Sequence, residues 1–283
     1  MSEQNLPDAK DHIRKEVLKT GFPLELEVFS MLKPGPWVVT AQDYYYDEDE
    51  KKARYVDLSA FSAPIVKGGR LVKPVEPIEF IWNLAIECKK SAKNWIFFPV
   101  EDWYIGTSGQ TLNYNMTYLT GLGFGHYNPS ESKTASIYTI LDSGKDEIFE
   151  AVMQVVKYIS YSKKKIENRT KHSESSKYSI NFWFPIIVLD GRMWNIIVRS
   201  GQITDINESQ HTLLKVQYGS FDDEEEPYVI DVVNKSYFPK LMNIIHQDIV
   251  GCEKTALESK GKIIEYLDKA FHERQQPSDS YER

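Results

Sequence analysis

The stretch Leu84-Ala85-Ile86-Glu87-Cys88-Lys89-Lys90 constrains this chain most, because it is an apolar strand that turns charged at its C-terminal end. Side chains alternate across a strand, so Leu84, Ile86 and Cys88 point to one face and Ala85, Glu87 and Lys89 to the other. Glu87 and Lys89 then share a face of a segment otherwise built for burial. A buried carboxylate and ammonium are costly unless they are paired or bound to a metal. Residues 55–61 repeat the pattern, with Val56, Leu58 and Ala60 on one apolar face and Asp57 on the other. If the two strands pair, Asp57, Glu87 and Lys89 meet. Two carboxylates offer the hard oxygen donors that Mg²⁺ prefers, with positions left for water and a phosphate. A lysine beside them can hold or help deprotonate an attacking water, which completes a set suited to metal-assisted phosphodiester hydrolysis.

The remaining bounds are broad. A chain of 283 residues forms one large domain or two small ones and can bury a substantial core. With 41% apolar, 27% charged and 13% aromatic residues it has a globular composition rather than a disordered one. The net charge of −7 and a pI near 5.5 argue against coating nucleic acid through bulk charge. They leave room for a local basic groove around an acidic metal site. Cys88 and Cys252 are too far apart in sequence for a zinc motif and too few for a disulfide framework, and Cys88 reads as a reduced core thiol. The start of the chain is polar, without the apolar core of a secretory signal, and no run approaches the ~18 apolar residues of a membrane span. The expected location is cytoplasmic, with no membrane partner.

Taken in order, Ile13, Val17 and Leu18 give a weak amphipathic helix, broken at Thr20-Gly21-Phe22-Pro23. Pro23 suits the first turn of a second helix, in which Leu24, Val28 and either Met31 or Leu32 recur at helical spacing. Lys33-Pro34-Gly35-Pro36 ends it. Residues 37–46 read as a strand, residues 47–52 as a charged turn, and the strand carrying Asp57 returns, predicting a hairpin. A Gly/Pro-punctuated connection over residues 64–77 leads to a strand over 78–89, and residues 95–100 form a further strand or buried segment. Residues 102–143, rich in Tyr, Gly, Thr, Asn and Ser, carry no assignable pattern.

Ile148, Val152, Val155, Val156 and Ile159 predict a helix over residues 146–161, and the polar, basic residues 162–177 an exposed loop. Residues 180–189 look like a buried strand, Asp190-Gly191 is a hairpin turn signal, and residues 193–198 return. Further strands are expected over 213–218 and 228–233, then a helical pattern from Tyr237 to about Phe271. The domain reading is a core over 1–200 including the N-terminal helix, an extension over 201–272 packed on it, and a disordered tail over 273–283.

Other motifs are weaker. Gly121-Leu122-Gly123-Phe124-Gly125 follows no clear strand, so a dinucleotide loop is not expected. Gly106-Thr107-Ser108-Gly109 has Gln110 where a nucleophile elbow needs its last glycine. The six histidines are scattered, without a zinc-ligand pair. Lys163, Lys164 and Lys165 are candidates for gripping phosphate, set against the commoner role of a charge run as a solvated surface. Gln154 and Lys157 could reach a site from the long helix, although a place on its surface is the commoner outcome.

The succession of a helix with Glu25, a strand, a strand with Asp57, a strand with Glu87-Cys88-Lys89, then helix and strand resembles the PD-(D/E)XK phosphodiesterase superfamily, and within it the Mrr-like endonucleases. The resemblance covers roughly residues 20–200. Asp57 matches the family's first acidic residue, and Glu87 and Lys89 its E-x-K half. Glu25, followed by Val28 and Leu32, is similar to the first-helix glutamate of many members, with Glu27 as its rival. The resemblance implies an α/β fold: a restriction-endonuclease-like mixed sheet flanked by helices, here with additional C-terminal strands and a long C-terminal helix. It implies a Mg²⁺-dependent endonuclease, with Mn²⁺ as a substitute, acting on nucleic acid and usually DNA. Asp57, Glu87, Glu25 and the Cys88 carbonyl would hold the metal, and Lys89 would serve the chemistry. The chain could pair as a homodimer. A nuclease-fold binding or regulatory module without cleavage is the alternative. The chain departs from the family pattern in having Val56 where a proline is usual. The interval from Asp57 to Glu87 is also long, which implies an insertion around Lys67-Gly68-Gly69-Arg70.

Overall fold

Two long parallel strands form the spine of the molecule: β5 (Glu79–Val100) and β7 (Ser179–Arg199), in register from Glu79↔Ser179 to Lys90↔Asp190 and again from Asn94↔Arg192 to Phe97↔Asn195. β7 over residues 180–189 and the two ends of β5 are nearly continuous runs of apolar and aromatic residues, as strands buried on two faces require, with the charged stretch of β5 between them. The structure is a computed structural model that describes residues 6–62, 65–67, 70–72, 75–100, 134–141, 146–170, 178–219 and 226–275.

Two helices precede the sheet, α1 (Leu6–Lys19) and α2 (Phe22–Leu32), with Pro23 in the first turn of α2 and Leu24, Val28 and Leu32 on its buried face. The predicted hairpin follows as β1 (Trp37–Asp47) and β2 (Lys52–Ser62), and β2 pairs antiparallel with β5. The long interval before β5 holds a separate small hairpin, β3 (Ile65–Lys67) with β4 (Arg70–Val72). The remaining elements are β6 (Thr134–Ile140), α3 (Glu147–Thr170), β8 (Gln202–Ser209), β9 (His211–Tyr218), β10 (Glu226–Asn234), α4 (Phe238–Glu258) and α5 (Lys260–Gln275). They complete an eight-stranded mixed sheet in the order β1-β2-β5-β6-β9-β10-β7-β8. The additional pairing of β5 with β7 makes the circuit β5-β7-β10-β9-β6 close on itself.

Alternation along the strands divides the core into two layers. On one face Leu84, Ile86, Phe182, Phe184 and Val188 pack with α2, α4 and α5. On the other, Ala85, Trp183, Ile187 and Leu189 pack with Ile148, Val152, Val155, Val156 and Ile159 of α3. The predicted apolar stripe of α3 is therefore its buried face. Residues beyond 200 supply β8, β9 and β10 to the same sheet and α4 and α5 to the same core, so they are built into the architecture rather than laid over it.

Several expectations are corrected. Asp190-Gly191 is no hairpin turn, because β7 runs straight through it. A Cβ on Gly191 would stand 2.5 Å from the Ser91 carbonyl oxygen, so glycine here permits the close approach of β5. The segments 78–89 and 95–100 belong to one strand, with a register shift between Lys90 and Asn94. Residues 162–170 are helix, not loop, since α3 extends to Thr170. The C-terminal helical pattern divides at Ser259 into α4 and α5, and α5 reaches Gln275, into the segment expected as tail. The glycine-rich motifs at 106–110 and 121–125, Gly68-Gly69 and residues 276–283 lie outside the described residues. Among the described residues no helix is long and apolar enough to cross a membrane.

Candidate functional site

The site begins at an interruption in the first hairpin. The β1–β2 ladder pairs every residue from Trp37↔Ser62 to Asp47↔Lys52 except Gln42 and Asp57. Gln42 has φ +52°, in the left-handed region that side chains larger than glycine rarely occupy. The strands exchange faces there. Leu58 and Ala60 lie in the layer beneath α2, with Val39 packed against them, whereas Tyr45 and Val56 lie in the layer beneath α3. Val56 thus does not share the face of Leu58 and Ala60, as simple alternation predicts. The kink at Gln42 and Asp57 breaks the period.

Asp57 still reaches Glu87 and Lys89. The β2–β5 ladder stops at Leu58↔Ile86, which leaves the next stretch of β5 backbone without a strand partner on that side. The Cys88 amide donates to Asp57 Oδ2 at 2.8 Å instead. Glu87 is 1% exposed, and its Oε1 accepts a hydrogen bond from Lys89 Nζ at 2.8 Å. Lys89 Nζ also donates to Gln154 Oε1 of α3 at 3.0 Å. Asp57, Glu87 and Lys89 are therefore brought together, as the alternation and the motif order predict.

Glu25 joins them: Gln42 Nε2 donates to Glu25 Oε2 at 2.7 Å, and the same amide favours the ionised form of Asp57. Glu27 faces elsewhere, 3.2 Å from Lys235 Nζ, so Glu25 is the glutamate of the two that lies beside Asp57. Cys88 is a buried free thiol in the α2 layer, its pKa pushed up by burial and then by Asp57, Glu87 and Glu25.

The electrostatics are those of crowded acids. Burial, then the Asp57 charge, pushes Glu87 up to about 8, even with Lys89 beside it. Burial raises Asp57 against the Cys88 amide and Lys89, and burial followed by Asp57 raises Glu25. Burial alone would lower Lys89, but the Glu87 carboxylate outweighs it and holds the ammonium charged. The second oxygen of Glu87, Oε2, is buried without a well-formed hydrogen bond, although the Asp57 backbone amide favours the ionised carboxylate.

Among the described residues no three acidic, histidine or cysteine side chains converge closely enough, as placed, to hold a metal ion. The donor chemistry nevertheless fits a hard divalent cation: three carboxyls whose burial favours protonation, one with a buried oxygen that lacks a well-formed hydrogen bond. A cation there would reverse the local preference for protonation.

Lys163, Lys164 and Lys165 lie on the exposed half of α3 and diverge. Lys163 Nζ stands 5.1 Å from the centre of the Tyr228 ring, Lys164 Nζ 3.2 Å from Glu48 Oε2, and Lys165 Nζ 5.6 Å from the centre of the Tyr161 ring. Lys157 anchors the hairpin tip instead of entering the site, reaching Asp47 at 2.9 Å and Asp49 at 2.8 Å. Gln154, expected to be able to reach a site from the long helix although a surface place is the commoner outcome, does reach Lys89. Gln42 escaped sequence reasoning, since its role depends on a backbone conformation that its residue type disfavours. Compared with protein-family models, curated proteins and solved structures, the chain matches none.

Proposed function

We propose that the protein is a Mg²⁺-dependent nuclease of the PD-(D/E)XK type, hydrolysing phosphodiester bonds in nucleic acid and foremost in DNA. The observation that carries this reading is the gathering of Asp57, Glu87 and Lys89 at one buried position, with Glu87 Oε2 left without a well-formed hydrogen bond. Asp57, Glu87, Glu25 and the Cys88 carbonyl are the groups that would hold Mg²⁺. When bound, the ion supplies charge neutralisation at the scissile phosphate and a more acidic water. Lys89 would orient the attacking water and donate to the phosphoryl oxygen on which charge builds. Gln154 holds the Lys89 ammonium from the α3 side, and Gln42 holds the Glu25 carboxylate beside Asp57.

A second reading, a nuclease-fold binding module without cleavage, draws on the same geometry. Lys89 is engaged by Glu87 and Gln154, and no three acidic groups converge as placed. Incubation with plasmid, single-stranded DNA and RNA, in Mg²⁺ or in EDTA, separates the two. The nuclease reading expects Mg²⁺-dependent cleavage, and Lys89→Ala should slow it about a hundredfold to a thousandfold while the protein melts cooperatively. Undiminished cleavage by a well-folded Lys89→Ala protein, or none by the wild type on any substrate, would remove the assignment.

A further inference from the structure

On the elements that carry the candidate site, β1, β2 and α3 present an aromatic surface, of which the half-buried Tyr161 also packs against the core. Tyr44 and Tyr55 are cross-strand partners in the hairpin, with ring centres 6.1 Å apart in an edge-to-face arrangement. Tyr44 meets Tyr161 of α3 in the same manner at 6.4 Å. Tyr44 and Tyr55 remain 44% and 51% exposed, while Tyr45, next to Tyr44 in β1, is fully buried. The hairpin thus turns one tyrosine into the core and leaves its neighbours' rings open to solvent. Lys165 Nζ lies over the Tyr161 ring, which adds a cation to the same surface.

The local charge runs against that of the chain. Residues 44–55 and 157–165 together hold four acids and seven bases, a net +3 in a molecule of net −7. The acids are engaged in place: Asp47 and Asp49 by Lys157, Glu48 by Lys164, and Glu50 by Lys52 and Arg54. An anionic ligand would therefore meet rings and lysines with the adjoining carboxylates already paired. The patch lies on the same elements as the candidate site. Tyr55 is two residues from Asp57 on β2, and Tyr161 is seven residues from Gln154, about 10 Å along α3.

Exposed tyrosine rings interleaved with cations, near the proposed phosphodiester-cleaving site, suit one class of ligand. We propose that Tyr44, Tyr55 and Tyr161, with Lys165, form a stacking platform for unpaired nucleobases, so that the substrate of this site is single-stranded nucleic acid or the frayed strand of a duplex. Every base has a π-face and a phosphate, so such a platform binds without reading sequence. A base stacked inside a duplex cannot present its face to these rings. The catalytic end of this inference rests on the nuclease reading, and the binding end does not.

Fluorescence anisotropy in EDTA isolates binding from cleavage. The probes are labelled oligothymidine, labelled oligouridine and a mixed-sequence duplex, and thermal melts accompany each variant. Wild type should bind the single strands more tightly than the duplex, and the two single-stranded arms tell DNA from RNA. The double variant Tyr44→Ala/Tyr55→Ala should weaken single-strand binding roughly tenfold or more while leaving duplex binding unchanged. Tyr44→Phe/Tyr55→Phe keeps the rings and should restore binding. Because both residues are exposed and the hairpin keeps its other ladder pairs, the variants are expected to fold. Unchanged single-strand affinity in the alanine variant, equal losses on duplex, a phenylalanine variant as weak as the alanine one, or a wild type that binds neither strand would each overturn the platform. Tyrosine-dependent binding by a protein that cleaves nothing would refute the nuclease reading alone. Cleavage by a protein indifferent to the tyrosines would refute the platform alone.

Discussion

Glu87→Gln in the metal-free protein tests the electrostatics of the site without any assumption about substrate. Glu87 is 1% exposed, and its pKa is pushed from an ordinary value of 4.5 up to about 8, by burial first and by Asp57 second. Below the lower value the group is neutral in both folded and unfolded chains and contributes no pH dependence. Between the two, the unfolded chain releases the proton that the folded protein keeps. Rising pH therefore favours unfolding, and the advantage of the folded state is lost progressively up to about pH 8. At 1.36 kcal/mol per pKa unit, the loss approaches about 5 kcal/mol, with a slope of at most about 1.4 kcal/mol per pH unit. Glu87→Gln keeps the shape and removes the titration. In EDTA, urea unfolding from pH 5.5 to 9 should show wild type losing stability relative to Glu87→Gln as pH rises, the difference levelling off above the folded pKa. Adding Mg²⁺ should diminish the wild-type loss at high pH and leave Glu87→Gln less affected, since an ion favours the charged carboxylate. A stability difference independent of pH in EDTA would refute the claim that Glu87 is a destabilised carboxylate, and with it the argument from its poorly bonded oxygen.

Gly191→Ala should destabilise the protein by about 1–3 kcal/mol, because its Cβ would stand 2.5 Å from the Ser91 carbonyl oxygen and force the two central strands apart. A urea midpoint equal to wild type would show that β5 and β7 yield there without cost. Gln42→Gly should leave stability unchanged or raise it by about 1 kcal/mol, because glycine adopts the left-handed backbone freely, while cleavage falls as Glu25 loses its hydrogen bond. Paired melts and cleavage time courses check this, and a destabilised but fully active Gln42→Gly protein would contradict it.

What could be read in advance was what local pattern governs. Glu87 and Lys89 declared themselves because charge at the end of an apolar strand is visible in seven residues, and Asp57 because a second strand repeats the pattern. The hairpin of β1 and β2 and the buried stripe of α3 followed from periods of two and of about 3.6. The misreadings arose where tertiary packing overrides local preference. Asp190-Gly191 carries a turn signal, but the neighbouring strand claims the glycine for close approach. Residues 162–170 look like a loop because they are charged, yet lysine, glutamate and arginine are sound helix formers and simply continue α3 into solvent. β8 was missed because almost every residue from Gln202 to Ser209 is exposed on both faces of an edge strand, so no alternation marks it.

The site itself lies where three regularities of the sheet fail together. The hairpin ladder skips Gln42 and Asp57, the β2–β5 ladder stops at Leu58↔Ile86, and the β5–β7 register shifts between Lys90 and Asn94. Each interruption serves the charged groups between them. The first lets the strands exchange faces around Asp57, the second releases the Cys88 amide to the Asp57 carboxylate, and the third begins after Lys90, one residue past Lys89. An uninterrupted sheet would have satisfied these backbone groups with other backbone and left the acids unsupported. Instead the protein holds a left-handed glutamine, a poorly bonded carboxylate oxygen and three carboxyls of raised pKa in one place. Such costs oppose folding, and a sequence that specifies its fold consistently elsewhere tolerates them where a ligand can offset them. A divalent cation, were one bound, would offset the crowded carboxylates and the poorly bonded oxygen together, whereas apolar packing could offset neither.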